Sequence, residues 1–139
     1  MRLLCFQAKR FRWQTHSKTL PDAAEQSVDE AVEAAVVVFM HAERRDHEEQ
    51  RMDSVQRQMI KHIKWLANKR QLKNVVLHAF AHLGGETAVP KTADALISGV
   101  AERLRQSGYQ VWTTPFGYSC QWDLSVYGES LAKVWKEIS

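Results

Sequence analysis

The segment His78-Ala-Phe-Ala-His-Leu-Gly-Gly-Glu-Thr-Ala-Val-Pro90 sets His82 two residues before a glycine pair, between an apolar run and an amphipathic one. An imidazole with an unperturbed pKa of about 6.5 at such a place has the chemistry of a general base, or of a donor to a developing oxyanion. A strand that ends in a glycine turn and restarts as a helix is also a recurrent way to aim backbone N–H groups at an anion. The stretch lacks the phosphate-loop lysine and the dinucleotide glycine spacing. The residues alone equally allow a plain turn with a structural histidine. No serine stands in a GxSxG elbow, which leaves Cys120 as the nucleophile candidate. Its pattern places it beside Trp122 and Leu124, where a thiol is usually inert. Six histidines and two cysteines are scattered with no CxxC pair and no HExxH, so no metal site and no cofactor are expected.

These side chains need elements to hold them. At 139 residues, 45% hydrophobic and 25% charged, the chain is expected to form one domain spanning 1–139. Residues 2 to 8 and 10 to 16 read as two strands joined as a hairpin, and the valine-rich run 33 to 43 as a central strand covered on both faces. Met52, Val55, Met59, Ile60, Ile63, Leu66 and Ala67 recur at helical spacing, which predicts a long helix over 46–68. Residues 73 to 80 return to a strand that the Gly84-Gly85 pair ends. Pro90 opens a second helix and Gly108 closes it. A short strand at 109–113, a Pro-Phe-Gly turn at 115–117 and a half-buried, antiparallel strand over 119–128 follow. Residues 129 to 138 are expected to add a helical turn or two. The order implies an α/β fold with a single mixed, largely antiparallel sheet and two main helices packed on it.

The 19 basic and 16 acidic residues leave a net charge of only +3, so the distribution matters more than the sum. Lys9, Arg10 and Arg12 alternate with Phe11 and Trp13, and Lys61, Lys64, Lys69, Arg70 and Lys73 form a second group; both suit phosphate contact or a solvated face. Cys5 and Cys120 each lie in a strand-like run, which fits free thiols in a reducing compartment. The N-terminal apolar run is too short for a signal peptide and no segment approaches a membrane span, so a cytoplasmic protein without membrane attachment is expected.

Three segments taken together resemble the editing domain of archaeal-type threonyl-tRNA synthetase, a relative in fold of D-aminoacyl-tRNA deacylase. They are AVVVFMHAERRDHE, VVLHAFAHLGGETAVP and VWTTPFGYSCQWDLSVYGESL. The resemblance implies hydrolysis of serine mischarged onto threonine tRNA, and it places the family's essential histidine on His82. The pocket-lining segments carry over to Ala81, Phe116, Gly117 and Tyr118, and the segment that holds the terminal adenosine falls near His41 and Ala42. Two positions depart from the family. Its catalytic lysine falls on Cys120, and its later acidic residue falls on Lys133, so a permanent cation and a carboxylate are both exchanged.

The resemblance further implies tRNA as partner through its acceptor end, a homodimer, and an association with threonyl-tRNA synthetase. With no synthetase body in the sequence, a free-standing, trans-acting editing hydrolase is expected. The alternative is a catalytically silent module that binds an aminoacyl-adenosine or the tRNA end. The basic and aromatic KRFRW segment is a candidate contact for the nucleic acid.

Overall fold

The computed structural model describes every residue from Met1 to Ser139. It contains β1 (Arg2–Lys18), β2 (Asp29–His41), α1 (Glu49–Asn68), β3 (Asn74–Ala79), α2 (Pro90–Gln106), β4 (Gln110–Thr113), β5 (Tyr118–Val126) and β6 (Lys133–Glu137). One sheet runs β4-β3-β2-β1-β5, with β6 paired to β1 as well. β2, β3 and β4 are parallel to one another, and β1 is antiparallel to β2, β5 and β6. The fold is the mixed sheet with two main helices that the sequence predicted. No helix is long and apolar enough to cross a membrane.

Two elements differ from the sequence prediction. Residues 2–18 form one continuous strand rather than a hairpin, because Lys9 and Arg10 carry none of the glycine, proline or asparagine chemistry that turns a chain. The interruption survives as a bulge, seen as a register shift against β5 between Ala8 and Arg10. At the C-terminus, a 3-10 turn at Ser130–Ala132 leads into β6 instead of a helix. Val134 and Trp135 find an open edge of β1 opposite Cys5 and Leu4, and pairing satisfies backbone groups that a short helix would leave free.

The bulge controls the architecture. Leu3 and Cys5 pack into the core beneath α1 and α2, whereas Phe11 and Trp13, also odd-numbered, lie in a second core on the opposite face. A strand alternates with period two, so β1 must change sides between them. β2 does the same: Val36, Val38 and Met40 face the helices, Val32 faces away, and Ala34 between them sits at φ 49°. Since the β1–β2 register is unbroken from Arg2↔His41 to Gln14↔Asp29, the two strands swap faces together.

The sheet then curls over the helix-free face. Trp122 pairs with Trp13, which pairs with Glu30, nine residues from Phe39 along β2. A flat sheet would hold Trp122 and Phe39 roughly 30 Å apart at 3.3 Å per residue. Their rings lie 5.2 Å apart. Phe11 and Trp13 are fully buried inside the curl, each contributing about 2 kcal/mol through removal from water.

Candidate active site

Residues 81–88, between β3 and α2, are tied down at several points. His41, at the end of β2, is buried; its Nδ1 accepts the Leu83 N–H at 3.1 Å, which leaves Nε2–H to donate to Thr87 Oγ1 at 3.2 Å. Burial pushes the His41 pKa down; Glu43 opposes this, and Arg2, the N-terminal ammonium and His82 add to it. The ring is therefore neutral at physiological pH, as an accepting Nδ1 requires. Ala88 N–H donates to Ala42 O at 2.9 Å, and Glu43 bridges to Thr87 as an isolated β-pair. Above the loop, Arg2 Nη1 donates to Leu83 O at 3.1 Å. A Cβ on Gly84 would fall 2.4 Å from the same nitrogen, and Gly84 is at φ 99°, so the glycine is required both for the turn and for the guanidinium over it.

Behind this loop lies a buried ionic cluster. The Met1 ammonium contacts Glu43 Oε1 at 2.6 Å and Asp46 Oδ2 at 2.9 Å, and Arg51 Nε contacts Asp46 Oδ1 at 3.0 Å. Burial alone would raise the Glu43 carboxyl, but the Met1 ammonium and Arg45 outweigh it and hold the group below the usual carboxylate range.

The second predicted segment, Pro115-Phe116-Gly117-Tyr118, is held by hydrogen bonds without ion pairs. Thr114 N–H closes on Leu77 O at 3.1 Å, and its hydroxyl lies 2.8 Å from His78 Nδ1. Gly117, at φ 84°, accepts the Thr19 and Leu20 N–H groups at 2.7 and 3.2 Å. Tyr118 OH donates to Ala24 O at 2.9 Å and accepts the Gln26 N–H at 3.1 Å. This turn thus fastens the loop between β1 and β2 that the curl has brought alongside.

Beside the second segment, and lined by no residue of 81–88, lies a cavity of about 330 Å³. β4 stops pairing at Leu77↔Thr113 while β3 continues to Ala79, so the edge of β3 is open there. Leu77, Ala79, Ile97 and Phe116 give apolar walls; Gln26, Glu30, Asp94, Ser98, Thr113 and Thr114 give polar ones. Ligand sites at the carboxyl ends of parallel strands are common in α/β sheets. Sequence reasoning found Phe116 but missed the carboxylates. Asp94 and Ser98 are polar positions on the α2 face that also carries Ile97, and Glu30 arrives only through the curl.

The other expected residues are placed as follows. Ala81 and His82 lead out of β3 and are exposed, with the His82 ring edge-on to Phe80 at 5.0 Å. Phe80 in turn is 6.5 Å from Trp122. Cys120, on the same strand face as Trp122, is half-buried against this aromatic group, and burial pushes its thiol up, so it offers neither a thiolate nor a cation at neutral pH. Cys5, fully buried, is pushed up to about 12. Both cysteines are free thiols. Gly117 and Tyr118 are committed to the β1–β2 loop and adjoin the cavity without lining it. Lys133 is exposed and directs its ammonium to Gly128 O and Glu129 O at 3.3 and 3.4 Å. Of the expected residues the cavity takes Phe116 alone; His82, through Phe80, and Cys120 both adjoin the aromatic group of the helix-free face, and Lys133 is turned to its own loop.

The profile of the archaea-specific editing domain of threonyl-tRNA synthetase matches residues 1–138. The chain belongs to this family. Threonine–tRNA ligases of Methanosphaerula palustris and Thermococcus onnurineus are each 30% identical to it, over 99% of this chain and 22% of theirs. The chain thus spans about a fifth of the length of the curated relatives it matches. Among solved structures, a c-Myc DNA unwinding element binding protein aligns with a TM-score of 0.64 at 12% identity, covering 100% of this chain and 99% of that one. A probable eukaryotic D-amino acid tRNA deacylase aligns with a TM-score of 0.60 at 10% identity, covering 99% and 98%. These two likenesses are of fold. The editing-domain family gives the chain its class: an aminoacyl-tRNA deacylase of the tRNA-editing kind.

Proposed function

We propose that this editing domain hydrolyses a small, serine-like aminoacyl ester at the acceptor end of tRNA, and that it does so in trans to the synthetase that charged the tRNA. The supporting observation is the cavity that begins at Ala79, three residues before His82, and ends at Phe116. The aminoacyl group occupies this cavity, its side chain against Ile97 and Phe116 and its ammonium facing Asp94 and Glu30. The terminal ribose lies at the rim, where the exposed His82 imidazole orients the attacking water or donates to the oxyanion of the tetrahedral intermediate.

In the hydrolysis itself, water adds to the ester carbonyl, the acyl–oxygen bond breaks, and the proton of the water passes to the departing ribose oxygen. The thiol of Cys120 carries no positive charge, so the electrostatic help that a lysine would give is absent; one such donor is worth on the order of 3 kcal/mol, a slower reaction rather than none. Pairing into a homodimer is expected from the resemblance and is read by sedimentation of the purified chain.

Incubation of the isolated chain with seryl-tRNA carrying the threonine anticodon tests this reading. Release of serine is expected, with His82→Ala lowering kcat about 100-fold and Asp94→Asn raising KM with little change in kcat. Serine release unchanged in His82→Ala would overturn it. The uncharged, half-buried Cys120 favours a second reading, a silent module that binds the aminoacyl end; binding of the charged tRNA with no release in either form is its signature.

A further inference from the structure

The second half of α1 has a composition that the site does not explain. From Ser54 to Lys73 the chain contains no aspartate or glutamate, while Arg57, Lys61, Lys64, Lys69, Arg70 and Lys73 fall within it. Arg57 is paired with Asp53 and Arg70 with Glu129. Lys64 reaches only the Ser107 hydroxyl, at 2.9 Å. Lys61, Trp65 and Lys69 follow one another at i, i+4 and i+8, so they form a single stripe along the helix surface.

The middle of that stripe is an aromatic platform. Trp65 is 42% exposed, although the rest of the α1 apolar face, Val55, Met59, Ile63 and Leu66, is fully buried. Its indole is stacked on the His62 ring at 5.6 Å and an interplanar angle of 27°, and the Lys69 ammonium lies 5.8 Å from the indole centroid. Lys136 of β6 is paired with Leu3, which packs in the core beneath the helices, so its side chain lies on the α1 side of the sheet. A large flat ring held rigidly by a stacked neighbour and flanked by lysines matches what binds a nucleic acid strand: cations for phosphates and a ring for a base or ribose face.

We infer that this stripe, Lys61, Trp65 and Lys69 with Lys64 and Lys136 at its borders, is a second contact surface for the phosphodiester backbone of the tRNA, distinct from the cavity that takes the aminoacyl end. The direction of α1 suits this. The short turn that leads into the helix touches the 81–88 loop, through the bond from Arg44 N–H to Glu86 O, and at 1.5 Å per residue Lys61 to Lys69 lie roughly 18 to 30 Å along the helix from its start at Glu49. An RNA stem whose end enters the site therefore has its following phosphates within reach of the stripe. The inference takes its partner from the proposed function, but its test does not depend on catalysis.

Binding of fluorescently labelled, uncharged tRNA, followed by anisotropy at several salt concentrations, tests the stripe. Lys61→Ala/Lys69→Ala is expected to weaken binding at least tenfold and to reduce the slope of log K against log salt by about one per lysine. Trp65→Ala is expected to cost about tenfold, and Trp65→Phe to retain most of the affinity. The double-lysine and Trp65→Phe variants should unfold at the wild-type temperature, and all three variants, assayed below their unfolding temperatures, should hydrolyse seryl-adenosine, which has no stem, at the wild-type rate. Unchanged tRNA affinity and salt slope in the double-lysine and Trp65→Ala variants overturn the inference, as does loss of self-association with tRNA binding intact. If wild type fails to hydrolyse seryl-adenosine, the proposed function falls, and the binding series still decides the stripe.

Discussion

The two segments that carry the expected site residues are secured by different physics. The 81–88 loop combines neutral bonds from His41 and Ala42 with charge: Arg2 lies over Leu83 and Gly84, and the cluster of Met1, Glu43, Asp46 and Arg51 stands behind it. The 114–118 turn rests on neutral hydrogen bonds, between Thr114 and both Leu77 and His78, from the Thr19 and Leu20 N–H groups to Gly117 O, and between Tyr118 OH and both Ala24 O and the Gln26 N–H. A buried ion cluster fails steeply when one member is removed, because the charges left behind lose their solvation and their partner together. Neutral bonds fail singly. The segment carrying His82 is thus held stiffly but vulnerably, and the segment forming the far wall of the cavity can move by small degrees.

The largest expected effect tests the charged side. Asp46 is fully buried and touches the Met1 ammonium, Arg51 and the Glu43 N–H. Asp46→Ala should cost about 3 to 5 kcal/mol in chemical denaturation, the usual cost of orphaning a buried ion. In the fraction that folds, kcat should fall although His82 is intact, since the loop that aims it loses its support. A loss below about 1 kcal/mol would mean that water reaches the cluster and that the contrast between the two segments is smaller than the geometry indicates.

Acid sharpens the contrast from the neutral side. Burial lowers the His78 pKa to about 4, well under the 6.5 of a free imidazole. Below 6.5 the unfolded chain takes up a proton that the folded one refuses until about 4, so the stability due to the neutral ring is complete above pH 6.5 and declines as pH falls toward 4. The loss amounts to about 3 kcal/mol. His41 and Glu43, both lowered, add losses in the same direction from the charged segment. His78→Gln removes the largest part of the slope between pH 6.5 and 4; an unaltered slope would assign the acid sensitivity to the other lowered groups, His41, Glu43 and His62 among them.

Sequence reasoning captured what periodicity encodes. β2, α1, α2 and the alternation of β5 follow from apolar spacing over many residues, and the positions of His82 and the Pro-Phe-Gly turn follow from local motifs. What escaped depends on contacts remote along the chain. Nothing local in Lys9-Arg10 says that β1 continues through a bulge, and nothing in Val134-Trp135 says that an edge of β1 is vacant. The curl that sets Phe39 against Trp122 also carries Gln26, Val28 and Glu30 to the cavity, so a quarter of its lining residues come from a segment that no pattern in 114–118 announces. His41 is instructive in the same way. Its place near the site was legible through the resemblance, whereas its burial beneath Leu83 and Thr87, with both nitrogens engaged, makes it a positioning residue for the loop.

The smallest effect probes the neutral turn directly. Tyr118 OH donates to Ala24 O and accepts from Gln26 N–H, so Tyr118→Phe deletes both bonds and leaves the ring in place. The two groups set free are exposed enough to find water, and the expected loss of stability is about 1 kcal/mol. The consequence for activity should nevertheless be specific. Gln26 and Val28 line the cavity from the loop that this hydroxyl fastens and Glu30 from the start of β2, while His82 stands on the other segment. Loosening that wall weakens the grip on the aminoacyl group without disturbing the aim of the imidazole, so KM should rise several-fold with kcat almost constant. A fall in kcat at unchanged KM would show that the two segments move together, and the division between the loop that carries His82 and the wall that Tyr118 fastens would have to be abandoned.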